Sequence, residues 1–277
     1  MELTLYHHNN SVCSEKVRMV LNEKGITDWK SVELDILKGD QFDPDYLKLN
    51  SKAVVPTLIH DGNILTESTL ISEYLDDAFS GPPLKPDTPL EQAQMRLYSK
   101  ACDEGLHQGV GVLSFSAMFM DRLQSLSTED VDKRLNRIID LDRRDRMKSV
   151  FTDGAGSPYV YRGTAAYEKI FQKIEHELSD GRDWLMGDRF TLAEINLAPY
   201  LTRLENMNLL DIWTEGRPKA SAWFNRVKAR RSFQVEIVDW IEEYEWAEMR
   251  DGGNKIKALV RDYKNSYIQS DPAAAYY

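Results

Sequence analysis

Apolar positions change their spacing several times along the first eighty residues, and the changes predict a small α/β unit. Residues 2–6 alternate as a short strand. Val17, Val20 and Leu21 then fall at i, i+3 and i+4, predicting a helix over 14–24 that Gly25 stops. Val32, Leu34 and Ile36 alternate with polar residues, which predicts a second strand, and 42–49 reads as a short irregular helix. A third strand is expected over 54–59, interrupted by Pro56. Asp61-Gly62 predicts a tight turn into Ile64-Leu65, because both residues tolerate positive φ. Ile71, Tyr74, Leu75 and Ala78 share one face of a helix expected over 68–79. The order is β-α-β-α-β-β-α.

Pro82, Pro83, Pro86 and Pro89 then forbid a continuous helix, so 81–89 reads as a linker between a domain at 1–80 and a second at 90–277. Beyond it every periodic stretch is helical: about 90–125, 128–149, 163–179, 191–206, 218–230 and 233–250. The stretch 127–163 is rich in charge (Asp130, Asp132, Lys133, Arg134, Arg137, then Asp140 and Asp142 to Arg146). It reads as a solvated helical excursion laced by i,i+4 ion pairs. Gly154, Gly156, Pro158 and Gly163 predict a loop able to cover a pocket. Trp240, Tyr244, Trp246, Tyr263 and Tyr267 complete a core or a subunit contact.

Composition narrows the function more than the fold. The chain has 277 residues, 42% of them hydrophobic, and a net charge of -10, with a pI near 5.1. That charge repels phosphate backbones and anionic headgroups, so neither nucleic acid nor a membrane is an expected partner. No stretch has the roughly 18 uninterrupted apolar residues of a membrane span. Met1 to Tyr6 runs straight into the first strand pattern without the segments of an export signal. With only Cys13 and Cys102, a disulfide framework is not expected, and a reducing cytoplasm is the expected setting. No metal site is expected.

Three short elements carry candidate chemistry. Ser11-Val12-Cys13-Ser14 lies where the first strand meets the first helix, a place whose free N–H groups and dipole favour a thiolate. Two roles fit: Ser11 donates its hydroxyl hydrogen to the thiolate of a bound thiol, or Cys13 is itself a nucleophile of depressed pKa. The plain alternative is a serine helix cap beside a buried cysteine. Val55-Pro56, set in a strand pattern, predicts a cis bond that turns the Val55 main chain outward to pair with an extended peptide. Thr66-Glu67-Ser68-Thr69 opens a helix: its N–H groups and Ser68 suit a carboxylate, and Glu67 suits an ammonium group.

Together these elements resemble the glutathione transferase superfamily over nearly the whole chain. Ser-x-Cys-Ser stands at the first turn, Asn50 to Leu58 follows the family's Asn-x-x-x-x-Val-Pro-x-Leu segment, and Glu67-Ser68 is its acidic-Ser pair. Gly187 to Ile195 is similar to the family's N-capping box, with Thr191 as cap and Glu194 reaching back where the family usually has Asp. The resemblance implies an α/β thioredoxin-like N-terminal domain that binds glutathione, followed by an all-α C-terminal domain that binds a hydrophobic aromatic molecule. It gives Ser11 the sulfur contact, with Cys13 as a second catalytic thiol. Val55 and Pro56 would pair the cysteinyl backbone, Glu67 and Ser68 the γ-glutamyl end, and Gln41 the glycyl carboxylate. Asp103 would reach across a dimer interface. His107, Gln108, Leu113, Phe115, Met118 and Phe119 would wall the second pocket. A homodimer, or a heterodimer with a related subunit, is implied.

Within the superfamily, Ser11 to Ser14 and Lys48 to Pro56 look like bacterial reductive dehalogenases of chlorinated hydroquinones. The helix opened by Thr66-Glu67-Ser68, Ala93 to Arg96, Asp142 to Asp145 and the long tail look more like bacterial glutathione-dependent β-aryl etherases. Val12 departs from the Ser-Ser-Cys signature of the isomerase class, which puts isomerase activity in doubt. The expectation is thiolate attack that releases a phenolate or halide. Dehalogenation or isomerisation is the alternative within the superfamily, and a non-catalytic binding or dimer-partner subunit is the alternative outside it.

Overall fold

The computed structural model describes residues 2–120 and 126–270, and turns the N-terminal alternation into a mixed four-stranded sheet. Its strands are β1 (Leu3–His7), β2 (Lys30–Glu33), β3 (Thr57–His60) and β4 (Asn63–Thr66), in the order β2-β1-β3-β4. β1 runs parallel to β2 and antiparallel to β3, where Leu5 pairs with Leu58; both are fully buried. Asp61 (φ 47°) and Gly62 (φ 81°) make the left-handed turn between β3 and β4. Helices α1 (Val12–Glu23) and α3 (Ser68–Ala78) pack against each other, tied by a buried Lys24–Asp76 ion pair at 2.9 Å, and α2 (Pro44–Leu49) starts from an Asp43 cap.

The second strand is shorter than its alternation predicts. The Leu34 N–H still donates to the His7 carbonyl at 2.8 Å, but past it the Asp35 carboxylate accepts from the Leu37 and Lys38 N–H groups, closing a local turn that takes Ile36 out of the ladder. β3 likewise begins only at Thr57, after the cis Val55-Pro56 bond.

Helices follow. α4 runs over 89–120 as Pro89–Ala101, a wider π-helical stretch at Cys102–Leu106, His107–Ser114, and a second π stretch at Phe115–Phe119. The region expected as one helix at 128–149 is two, α5 (Thr128–Asn136) and α6 (Leu141–Asp153). Asp140 caps α6 through the Arg143 N–H, and Arg144 holds the Ile138 carbonyl in the break. The Glu129–Lys133 pair at i,i+4 is the kind expected of this charged stretch. α7 (Pro158–Glu177) starts earlier than expected, with Ser157 as cap and Pro158 in its first turn. Gly163 is therefore helical rather than part of a loop, and its Cα lies where any side chain would strike Gly109 of α4.

After α8 (Leu192–Asn206), α9 (Asp211–Thr214) and α10 (Pro218–Lys228), the single helix expected over 233–250 is instead α11 (Arg231–Glu236), a 3-10 turn at Val238–Trp240 and α12 (Glu243–Ser270), which runs well past the expected end. Gly252 and Gly253 do not stop it. A Cβ at Gly252 would lie 2.1 Å from the Ala117 carbonyl oxygen, and one at Gly253 1.8 Å from that of Met207, so the pair is there for close backbone approach.

The chain divides into two compact units. One holds everything up to Ser99 together with Met186–Pro199 and Asn225–Ile241; the other holds Lys100–Leu185, Tyr200–Phe224 and the chain from Glu242 on. Among the described residues, no helix is long and apolar enough to cross a membrane.

Candidate active site

Ser11 caps α1. Its backbone is extended (φ −106°, ψ 117°), and its hydroxyl oxygen accepts the Ser14 N–H at 3.4 Å. Accepting occupies a lone pair and leaves the hydroxyl hydrogen to be donated elsewhere. Half-buried Cys13 sits in the first turn of the same helix, Cys102 is buried on α4, and neither forms a disulfide. The first N–H groups of α1 add a positive dipole end at this place.

The turn that presents Ser11 is held from behind by Arg18, which the sequence does not single out. Helical side chains lean toward the N-terminus, so Arg18 reaches back along α1. Nη1 donates to the His8 carbonyl at 3.1 Å and to His7 Nδ1 at 3.2 Å. Nη2 donates to the Asn9 carbonyl at 2.7 Å and to the Glu236 carbonyl at 3.0 Å, and Nε donates to that same carbonyl at 3.1 Å. The guanidinium also lies 4.5 Å from the Trp240 ring centre. Burial lowers its pKa to about 10, against the opposing pull of Glu15, Glu236 and Glu33, so it stays charged at neutral pH. Burial, then the Arg18 charge, then His8 push the His7 pKa down to about 3. Since arginine only donates, His7 Nδ1 is the acceptor, and its Nε2–H points to Ser31 Oγ at 2.7 Å.

The second element is the loop into β3. The Tyr46 hydroxyl and the Asn50 amide both donate to the Val54 carbonyl, at 2.6 and 3.0 Å, and both contact Thr57 Oγ1. They fix the loop that carries Ala53 (φ 54°) into the cis Val55-Pro56 bond; Val55 is half-buried and Pro56 buried. Gln41, in a short 3-10 turn, spends its amide nitrogen on the Ile36 carbonyl at 3.2 Å, while its Oε1 is buried with no hydrogen-bond partner among the described residues.

The third element is the start of α3. Glu67, a non-glycine residue at φ 71° and ψ 108°, occupies the cap position, and such a backbone is costly unless its surroundings impose it. Ser68 and Thr69 behind it are buried, whereas the Glu67 carboxylate is exposed and paired with Lys52 Nζ at 2.6 Å. Ser11, Cys13, Gln41, Val55, Pro56, Glu67 and Ser68 all belong to the first unit.

The remaining candidates belong to the second unit. Asp103 is exposed on the first π stretch of α4, and His107 and Gln108 are exposed just after it. Phe115 is half-buried, while Leu113 and Met118 are buried; the side chain of Phe119 lies outside the described residues. A cavity of about 1080 Å³ is walled by α4, α6, α7 and α12, and Gln108 lines it beside Glu104, Tyr159, Arg162 and Tyr267. At the head of α8, the Thr191 hydroxyl accepts from the Ala193 N–H at 3.2 Å and Glu194 accepts from the Thr191 N–H at 2.9 Å, which is the reciprocal capping box.

Comparison with known proteins adds two family-model matches: the glutathione S-transferase N-terminal domain over residues 5–83 and the C-terminal domain over 142–226. Protein LigF of Sphingobium sp. strain SYK-6 is 28% identical over 83% of this chain and 91% of its own length. A tetrachloro-p-hydroquinone reductive dehalogenase of Sphingobium chlorophenolicum is 28% identical over 86% of this chain and 96% of its own. The crystal structure of the β-etherase LigF superposes with a TM-score of 0.75 at 26% identity, covering 86% of this chain and all of that one.

Proposed function

From the premise that this chain belongs to the glutathione S-transferase superfamily, we propose that it is a glutathione transferase that attacks a hydrophobic aromatic electrophile, with cleavage of a β-aryl ether as the reaction. The observation that carries this reading is Ser11 at the α1 cap, which accepts from Ser14 N–H and keeps its own hydrogen to donate. Bound glutathione would supply the thiol nucleophile. Ser11 and the α1 N-terminus favour its ionised form, the Val55 main chain before cis Pro56 would pair with its cysteinyl backbone, and Ser68 with the α3 N-terminus takes the γ-glutamyl carboxylate. Glu67 takes the ammonium group, exchanging its Lys52 partner for it, and Gln41 Nε2, which now donates to the Ile36 carbonyl, would be the donor for the glycyl carboxylate. His107, Gln108 and Phe115 offer α4 surface for the aromatic substrate.

The assignment within the superfamily leans on the similarity to LigF in sequence and structure. A second reading, thiol exchange as in a reductive dehalogenase, is favoured by Cys13 two residues from Ser11 and by the equal identity to the tetrachlorohydroquinone enzyme. Leu70, Leu90 and Leu97 are large apolar side chains exposed on the first unit, which supports a two-fold partner, either a second copy or a related subunit.

One experiment separates these readings. Ser11→Ala should slow glutathione-dependent release of a phenol from a β-aryl ether at neutral pH and recover partly in alkali, as more thiolate forms unaided. Cys13→Ser should leave ether cleavage largely intact. Full activity in Ser11→Ala with complete loss in Cys13→Ser transfers the chemistry to Cys13, and no glutathione binding by either the parent or the variants leaves a non-catalytic subunit.

A further inference from the structure

We propose that Arg18 is a positioning residue for Ser11, acting through the His8 carbonyl that accepts both the Arg18 guanidinium and the Ser11 N–H. The inference rests on the role given to Ser11 above. The two bonds to His8 O measure 3.1 Å from Arg18 Nη1 and 3.3 Å from Ser11 N. A displacement of the guanidinium therefore moves the acceptor on which the Ser11 backbone hangs. Asn9, one residue further on, is fixed twice: its carbonyl accepts from Arg18 Nη2, and its amide donates to the Trp240 carbonyl at 3.4 Å.

The arrangement needs arginine in particular. Guanidinium has five N–H donors in a rigid plane, and here they go to His7 Nδ1, His8 O, Asn9 O and, twice, Glu236 O. Both faces of the assembly are anchored. Glu236 closes α11, where its carboxylate takes the Asn22 amide of α1 at 2.9 Å, and Trp240 covers the guanidinium. A segment distant in sequence thus holds Arg18, Arg18 holds the turn, and the turn presents Ser11. The groups facing Arg18 that carry or gain charge are His7, Glu15, Glu33 and Glu236. Lysine keeps the charge but has one nitrogen, which cannot span carbonyls in three directions.

Comparing the full chain with Arg18→Lys, Ser11→Ala and the double variant tests this, using glutathione and a chloronitroaromatic acceptor across a pH series. Arg18→Lys should raise the kinetic pKa of the bound thiol by about one unit and lower kcat at neutral pH by about tenfold, with the KM for glutathione little changed. In the Ser11→Ala background the same substitution should add nothing. A parent-like pH profile in Arg18→Lys overturns the proposal, as does a further loss of equal size on top of Ser11→Ala, since the effect would then bypass Ser11. If Ser11→Ala alone leaves the profile unmoved, the role of Ser11 fails first. Should Arg18→Lys not fold, Trp240→Leu removes the ring over the guanidinium and its edge contact with His7 at 5.1 Å, while keeping the main-chain carbonyl that holds Asn9. It should shift the profile in the same direction by less, and no shift there counts against positioning by Arg18.

Discussion

Lowering the pH from about 7.5 to about 5.5 should cost the folded chain about 1.4 kcal/mol through His7 alone. His7 is fully buried beside Arg18, and its pKa falls from 6.5 to about 3. Over the interval between those two values the unfolded chain binds a proton that the folded chain refuses. Stability therefore rises with pH there, is fully present above the unfolded value, and is lost as pH falls. Integrated from 7.5 to 5.5 the difference is about one pKa unit of binding, and it grows further as pH falls toward the folded pKa. Urea unfolding followed by tryptophan fluorescence at both pH values, which stay above the pI of 5.1, reads the effect. His7→Gln provides the control: a glutamine offers an acceptor to Arg18 and a donor to Ser31 without titrating. The variant should lose about 1.4 kcal/mol less than the parent over the same interval. An equal loss in both proteins refutes the reasoning, because His7 would then titrate alike in the folded and unfolded chains.

Glu67→Gln should weaken glutathione binding by about 1.5–3 kcal/mol, the range for a hydrogen bond to a charged group, and calorimetry that finds unchanged affinity removes Glu67 from the site. Gly252→Ala places a methyl group 2.1 Å from the Ala117 carbonyl oxygen. It should lower stability by about 1–3 kcal/mol as α12 is forced off α4, visible as a lower Tm; an unchanged Tm means the two helices are not held together there.

What could be read from the sequence was local chemistry. Thr191 and Glu194 declare a helix start because both halves of a capping box lie within four residues. Asp61-Gly62 declares a hairpin for the same reason, and Pro56 its cis bond within a strand pattern. The errors came where distant backbone decides. The helix expected over 233–250 breaks at Val238–Trp240 and then runs on to Ser270, with Gly252 and Gly253 inside it because Ala117 and Met207 need the space. Ile36 alternates correctly but loses to the Asp35 side chain, which offers the backbone a turn. Arg18 left one faint local trace, a charge four residues after Ser14 on the same side of α1. Its partners at Glu236 and Trp240 stand more than two hundred residues away, beyond any periodicity.

That distance imposes an order on synthesis. The compact unit containing the sheet draws on Asn225–Ile241, so a nascent chain that has just released Ser99 from the ribosome still lacks part of its own interior. At roughly 5–20 residues per second, the wait for the missing segment is on the order of ten to thirty seconds. During it Arg18 has neither its Glu236 carbonyl nor its Trp240 cover, and the turn around Ser11 has nothing behind it. The sheet and the residues before Ser99 are the first part made and among the last to be finished. A nonsense codon between residues 100 and 236 would therefore release a chain whose N-terminal portion is complete in sequence and incomplete in structure.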